Sequence, residues 1–284
     1  MNGKVCMVTG ATSGVGAATA EGLARLGATV IVVGRDQGRC VSTVEHIRRA
    51  TGNDSVTWLR ADLSSQTEIR QLARDFRAGH SRLDVLVNNA GAVFKKRQLT
   101  VDGIEMTLAL NHLGYFLLTN LLLDVIKASQ PARIVNVASS GHKLASGINF
   151  ADPHSTRLYG FGWRAYFQSK LANLMFTYEL ARRLEGTQVS VNALDPGMVA
   201  TNFGANNGRF SRPVKNAFYF VFRIKPLTPE EGARTVIYLA SSPEVEEVTG
   251  RYFVEEKPVE SSPISRDEAA ARRLWELSEQ LARL

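Results

Sequence analysis

The sequence predicts an α/β fold, a doubly wound parallel sheet of about seven strands with helices on both faces. Three observations predict it: short β-branched runs recur, longer segments with helical spacing separate them, and a glycine-rich turn joins the first run to the first helical segment. The runs are Val5–Thr9, Thr29–Val33, Val56–Ala61, Asp84–Asn88, Arg133–Ala138, Val189–Leu194 and Tyr252–Val254. They are apolar at nearly every position, as strands buried on both faces are. Between them lie Ala17–Leu26, Ile69–Phe76, Gly103–Ile126, Ala165–Leu184 and Glu230–Ala240, each spaced like an amphipathic helix. Alternation of the two kinds calls for parallel pairing through right-handed crossovers. Ligands bind beyond the carboxyl ends of strands in such sheets, so the informative residues should follow the runs.

The chain has 284 residues, 44% hydrophobic and 21% charged, which is close to the average for globular proteins and enough for one domain spanning 1–284. Its formal net charge of +7 is spread along the sequence apart from Lys95, Lys96 and Arg97. Nucleic acid needs a concentrated basic face, so no nucleic-acid partner is expected. Two cysteines, Cys6 and Cys40, form no metal-type or redox-type pair. The five histidines make no His-Glu-x-x-His pattern and no serine sits in a Gly-x-Ser-x-Gly elbow, which argues against a metal centre and a hydrolase. Leu117–Ile126 is interrupted by Thr119, Asn120 and Asp124, and no run approaches the ~20 apolar residues of a spanning helix. With no charged leader before Val5, the expectation is a cytoplasmic protein, in peripheral contact with a membrane at most.

After the first run comes Thr9-Gly10-Ala11-Thr12-Ser13-Gly14-Val15-Gly16, which leads straight into a helical pattern. Glycines there allow a tight turn and close approach of backbone to phosphate, and the helix amino terminus favours negative charge. This Rossmann-type arrangement points to a dinucleotide held by Gly10, Thr12, Ser13, Gly14, Val15 and Gly16. The second run ends at Val33-Gly34-Arg35, where a protein preferring NAD usually has an acid for the ribose hydroxyl. Arg35 can instead pair with a 2′-phosphate, so NADP(H) is the expected cofactor. Asp36, one residue on, leaves a ribose-binding role open.

Tyr166-Phe167-Gln168-Ser169-Lys170 opens a long helical pattern and puts Tyr166 and Lys170 one turn apart on one face. A phenol is a poor base near neutrality, and a neighbouring ammonium stabilises its phenolate. The fifth run ends in Ala138-Ser139-Ser140, where a hydroxyl at the sheet edge can steady an oxygen as its charge changes.

Together, Thr9–Gly16, Asn88-Asn89-Ala90-Gly91, Asn111, Ser139-Ser140, Tyr166–Lys170 and Pro196-Gly197 resemble the classical short-chain dehydrogenase/reductase family from about Lys4 to Val254. Within it the chain looks closest to retinol dehydrogenase-like members through Tyr166–Ala172, Glu179–Leu184 and Asn192–Thr201. The resemblance implies an alcohol–carbonyl oxidoreductase with Tyr166 as acid/base, Lys170 on the nicotinamide ribose, Ser140 against the substrate oxygen and Asn111 anchoring a water relay. It assigns Asp62 and Leu63 to the adenine, Asn89, Ala90 and Gly91 to the adenosine ribose side, and Pro196, Gly197, Val199 and Thr201 to the carboxamide. Asp195 stands where those relatives often carry histidine, and the interval from Ser140 to Tyr166 is long. The intact Asn111, Ser140, Tyr166 and Lys170 set argues against a silent NADP-binding protein of redox-sensing type. A sugar-nucleotide epimerase would show different glycine spacing.

Residues 198–228 lack clear periodicity and read as a substrate lid, in which 203–225 alternates aromatic and basic residues suited to an apolar pocket or a membrane surface. Residues 267–284 read as an amphipathic C-terminal helix packing on the body or on a second copy of the chain. The expected partners are an apolar carbonyl or alcohol and, if that helix packs on a second copy rather than on the body, a homo-oligomer.

Overall fold

A computed structural model describes residues 1–199 and 226–284 of the chain. The expected lid at 198–228 therefore lies largely outside the described residues, as do Thr201 and the segment 203–225. One eight-stranded sheet organises the rest, formed by β1 (Val5–Thr9), β2 (Thr29–Gly34), β3 (Val56–Arg60), β4 (Val85–Asn88), β5 (Ala132–Val137), β6 (Val189–Asp195), β7 (Arg251–Val254) and β8 (Lys257–Val259). Their order is β3-β2-β1-β4-β5-β6-β7-β8, parallel except for the antiparallel pair β7 and β8. The seven expected strands are all present. The eighth was illegible for a physical reason: it has only three exposed residues, includes Pro258, and follows a two-residue turn made by Glu255 and Glu256 at φ 50° and 63°. Such a turn normally advertises itself with Asn-Gly or Asp-Gly, and proline is compatible with an edge strand.

Alternation along the strands feeds two cores. Met7, Ile31, Leu86, Ile134 and Val191 face one side, and Val8, Val32, Val87, Val135 and Val137 face the other. The first side is covered by α3 (Gln66–Gly79), α4 (Gly114–Ala128) and α5 (Trp163–Arg183). On the second side lie α1 (Gly14–Arg25), α2 (Gln37–Thr51) and α6 (Pro229–Ser241). Packing on both faces is why the strands read as unbroken apolar runs.

A short turn Met106–Leu108 and a π-helical turn Ala109–Leu113 run without a break into α4. The continuous stretch Met106–Ala128 is, among the described residues, one helix long and apolar enough to cross a membrane, contrary to the expectation from its polar interruptions. Most of it is buried: Tyr115, Phe116, Leu118 and Leu122 are wholly enclosed, as in a central helix of a globular domain.

The C-terminal helix, α7 (Glu268–Ala282), starts on an Asp267 carboxylate that accepts from the Ala270 amide at 2.9 Å. It packs along α5, with Trp275 between Phe116 and Phe176. Ser278 meets His112 in the π-turn at 2.9 Å, and Gln66 and Arg70 of α3 donate to the carbonyls of Leu281 and Ala282. One helix thus braces three others.

Candidate active site

The strand order reverses direction between β1 and β4, so a crevice opens beyond their carboxyl ends. Thr9 stitches its two walls together: its hydroxyl donates to the Val87 carbonyl at 3.1 Å and accepts from the Asn89 amide at 2.8 Å. Asn89 returns the tie by donating from Nδ2 to the Thr9 carbonyl at 2.8 Å. Gly10, at φ 64°, lies so close to Ala90 that an added Cβ would stand 2.8 Å from its Cα. At Gly16 an added Cβ would stand 2.5 Å from the Gly10 carbonyl oxygen. Only glycine fits either place.

Helix α1 starts at Gly14 from an extended Ser13 that makes no side-chain capping bond, and its first turn carries no acid. Its leading amides are thus left to a ligand rather than to the usual capping oxygen, which suits a phosphate. Across the turn, Gly34 ends β2 tightly against Thr12, and Arg35 follows on the surface. Asp36 is already engaged, because its carboxylate caps α2 by accepting from the Arg39 amide at 2.8 Å. That engagement weakens its candidacy for the ribose. Arg39, which the sequence reading did not single out, donates from Nη2 to the Thr12 carbonyl at 3.1 Å and brings a second guanidinium beside the cradle. Asp36→Ala should lower the unfolding free energy by about 1 kcal/mol, the usual cost of a lost helix cap, measured by urea titration. Asp62 and Leu63 follow β3, where Asp62 accepts from the Ser64 amide at 2.9 Å and the buried Leu63 backs onto Gly114.

On the far side of the crevice the π-turn delivers Asn111, wholly buried. Its Oδ1 accepts from the Ala92 amide at 2.9 Å, and its Nδ2 donates to the Ala92 carbonyl at 2.9 Å and to Ser169 Oγ at 3.0 Å. The side chain therefore ties the Asn89–Ala92 loop to α5.

Helix α5 carries Tyr166 and Lys170 inward. Lys170 is 3% exposed, donates to the Val137 carbonyl at 2.8 Å and lies 5.8 Å from the centroid of the Tyr166 ring. Burial pulls its ammonium down to about 8, with the negative charge of Asp195 opposing. Burial pushes the Tyr166 phenol up to about 12; a hydrogen bond with Ser139 opposes the rise and Asp195 adds to it.

The two serines separate cleanly. Ser139 continues the extended path of β5 at φ −175°, is the side chain that opposes the rise of the Tyr166 phenol and accepts the Gly141 amide at 3.1 Å. Ser140 begins the following turn, with its side chain exposed and its amide donated to Asp195 Oδ2 at 2.9 Å. The structure thus sets the side chain of Ser139 with Tyr166 and leaves that of Ser140, the expected serine, exposed, as alternation along an extended chain requires. A residue outside every motif supports it: buried His142 bridges the Ser139 carbonyl, at 2.7 Å from Nδ1, and the Ser262 amide, at 3.1 Å from Nε2. Since Nε2 accepts an N–H there, the ring's proton lies on Nδ1 and is donated to Ser139.

Pro196 and Gly197 follow β6 toward the same crevice, the Gly197 amide donating to Asp195 Oδ1 at 3.0 Å. Val199 lies beside Leu227, whose amide donates to the Met198 carbonyl at 2.9 Å, so the chain leaves and returns at one place. Around the mouth Trp163 stacks with Phe167 and meets Tyr166 edge-on, while Phe161 is 81% exposed. Arg39 and His142 were given no site role by sequence reasoning, which weighed Ser139 but preferred Ser140 and noted Asp195 only as a departure from retinol dehydrogenase-like relatives.

Comparison with known proteins agrees with this geometry. Residues 4–211 match the family described as short chain dehydrogenase. The chain is 45% identical to retinol dehydrogenase 14 of Homo sapiens over 297 aligned residues, covering all of this chain and 88% of that protein. It is 42% identical to polyprenol dehydrogenase of Mus musculus, covering 96% of this chain and 82% of that one. Among solved structures, the active-site complex of Pseudomonas aeruginosa RhlG with NADP superimposes with a TM-score of 0.71 at 29% identity, over 89% of this chain and 94% of that one. By sequence, fold and the grouping of serine, tyrosine and lysine at one crevice, the chain belongs to the short-chain dehydrogenase family and is retinol dehydrogenase-like within it.

Proposed function

We propose that this chain is an NADP(H)-dependent oxidoreductase interconverting an alcohol and a carbonyl on an apolar substrate. The observation that carries the reading is the meeting of the Ser139 hydroxyl, the Tyr166 phenol and the buried Lys170 ammonium beyond the phosphate cradle. When bound, NADP(H) supplies or takes up the hydride, and the protein manages the proton and the charge on oxygen. In the reducing direction Tyr166 gives its proton to the carbonyl oxygen while Ser139 donates a hydrogen bond to it; in the oxidising direction the phenolate takes the alcohol proton. Lys170 compensates the charge left on the phenol. Asn111 holds the Asn89–Ala92 loop and α5 in register, which keeps cradle and acid/base at a fixed separation.

The residues present fit NADP(H): uncapped amides at Ser13–Gly16 for the diphosphate, and Arg35 with Arg39 where β2 ends for a 2′-phosphate. Arg35→Ala should weaken NADPH binding by about 10-fold or more, as loss of a charge-assisted contact does, and leave NADH binding within about 2-fold. Titration of cofactor fluorescence reads both, and an unchanged preference would defeat the 2′-phosphate reading.

An apolar substrate is supported by exposed Phe161 and Trp163, just before and at the start of α5, and exposed Met198 after Gly197, and by relatives named for retinol and polyprenol. A location peripheral to a membrane belongs to the same reading and is supported by relatives named for retinol and polyprenol; the apolar stretch Met106–Ala128 is itself mostly buried in the fold. Following NADPH absorbance with long-chain apolar aldehydes and ketones against short polar ones tests the substrate class. Faster turnover of the polar set would overturn it.

A further inference from the structure

We propose that Asp195 is a positioning residue of the reaction, a buried carboxylate that clamps the Ser139–Ser140 turn to the Pro196–Gly197 turn beside Tyr166 and Lys170. Its meaning for turnover rests on the oxidoreductase reading, whereas its geometry stands without it. Asp195 is the last residue of β6, and pairing of Val137 with Leu194 sets β5 and β6 in register, closed by the Ala138 amide donating to the Leu194 carbonyl at 2.8 Å. The aspartate consequently leaves the sheet level with Ala138, one residue before Ser139. It is 8% exposed, and each oxygen holds an amide from a different loop: Oδ2 that of Ser140 at 2.9 Å, Oδ1 that of Gly197 at 3.0 Å. One turn carries the hydroxyl that meets the substrate oxygen, and the other leads along the nicotinamide side of the crevice.

A carboxylate taken out of water is costly unless partners satisfy both its hydrogen bonds and its charge. Two amides meet the first need. For the second, the groups whose ionisation it influences are Lys170 and Tyr166 on α5, His142 in the turn after β5 and Tyr252 on β7, and the one among them that is cationic near neutral pH is Lys170. Lys143, next to His142 and exposed, is the other cation acting on that ring. Asp195 favours the charged form of Lys170 and disfavours the phenolate of Tyr166. Both proton-bearing groups therefore answer to one fixed negative charge. An asparagine in its place offers a single acceptor oxygen and no charge, so one amide loses its partner and both groups release protons more readily.

The test starts without cofactor or substrate. In protein labelled with 13C at lysine Cε, one lysine should titrate near pH 8, matching the pull of burial on Lys170, and vanish in Lys170→Met. Asp195→Asn should move that titration down by about 1 pH unit, the size expected for losing a close charge in a partly screened site. In kinetics, both limbs of the pH profile of kcat should move down by a similar amount, a displacement that a merely structural defect would not give. Asp195→Glu keeps the charge but misplaces the clamp, so kcat should fall while the lysine still titrates near pH 8; this variant carries the test if the asparagine protein does not fold. A lysine titration that stays put in Asp195→Asn, or a kcat lowered equally at every pH, overturns the proposal. If Tyr166→Phe turns over like wild type, the hydride-transfer reading fails, while the titration still decides the link between Asp195 and Lys170.

Discussion

Tyr166→Phe should lower kcat by about 10³-fold in both directions, close to 4 kcal/mol of barrier, while NADPH binding stays within about 2-fold of wild type. The ring is 9% exposed and packs edge-on against Trp163, so phenylalanine keeps the fold and the mouth of the crevice. What disappears is the proton. No second phenol in the described crevice replaces it: Tyr115 is wholly enclosed in the core beneath, with its hydroxyl driven far toward the protonated form by burial. The measurement is NADPH oxidation under saturating carbonyl together with cofactor fluorescence titration. Equal turnover in both proteins would take Tyr166 out of the reaction.

The second large effect separates adjacent residues. Ser139→Ala should cost about 10²-fold or more in kcat, the usual loss for one donor to a developing oxyanion, and Ser140→Ala should change it by no more than about 3-fold. Ser140 acts through its backbone amide, which alanine retains. Ser139 acts through Oγ on the phenol and on the Gly141 amide, which alanine lacks. The reverse ranking would restore Ser140 as the residue at the substrate oxygen.

This serine pair marks the limit of what the sequence disclosed. The sheet was legible because strands buried on both faces must be apolar at every position, and the cradle because no residue but glycine fits where Gly10 and Gly16 meet their neighbours. Tyr166 and Lys170 were legible because one helical turn is a fixed interval. Which of two consecutive hydroxyls faces inward depends on the residue at which β5 stops being extended, a boundary that sequence sets poorly. Arg39 was hidden because its role comes from the cap at Asp36 turning α2 toward Thr12. His142 was hidden because its two partners, Ser139 and Ser262, lie 123 positions apart in sequence yet on the same ring. The antiparallel β8 escaped because two glutamates make a turn usually left to glycine.

The bracing of α3, the π-turn and α5 by α7 bears on how the protein is made. A ribosome delivers the cradle first, then the asparagine, the serine and the tyrosine, and only afterwards the helix that covers His112 and Phe176. A nascent chain stopped before Glu268 would have every group required for chemistry and an open seam along the wall that aligns them. Competence thus arrives only once α7 has been made, and products interrupted before Glu268 are left without it.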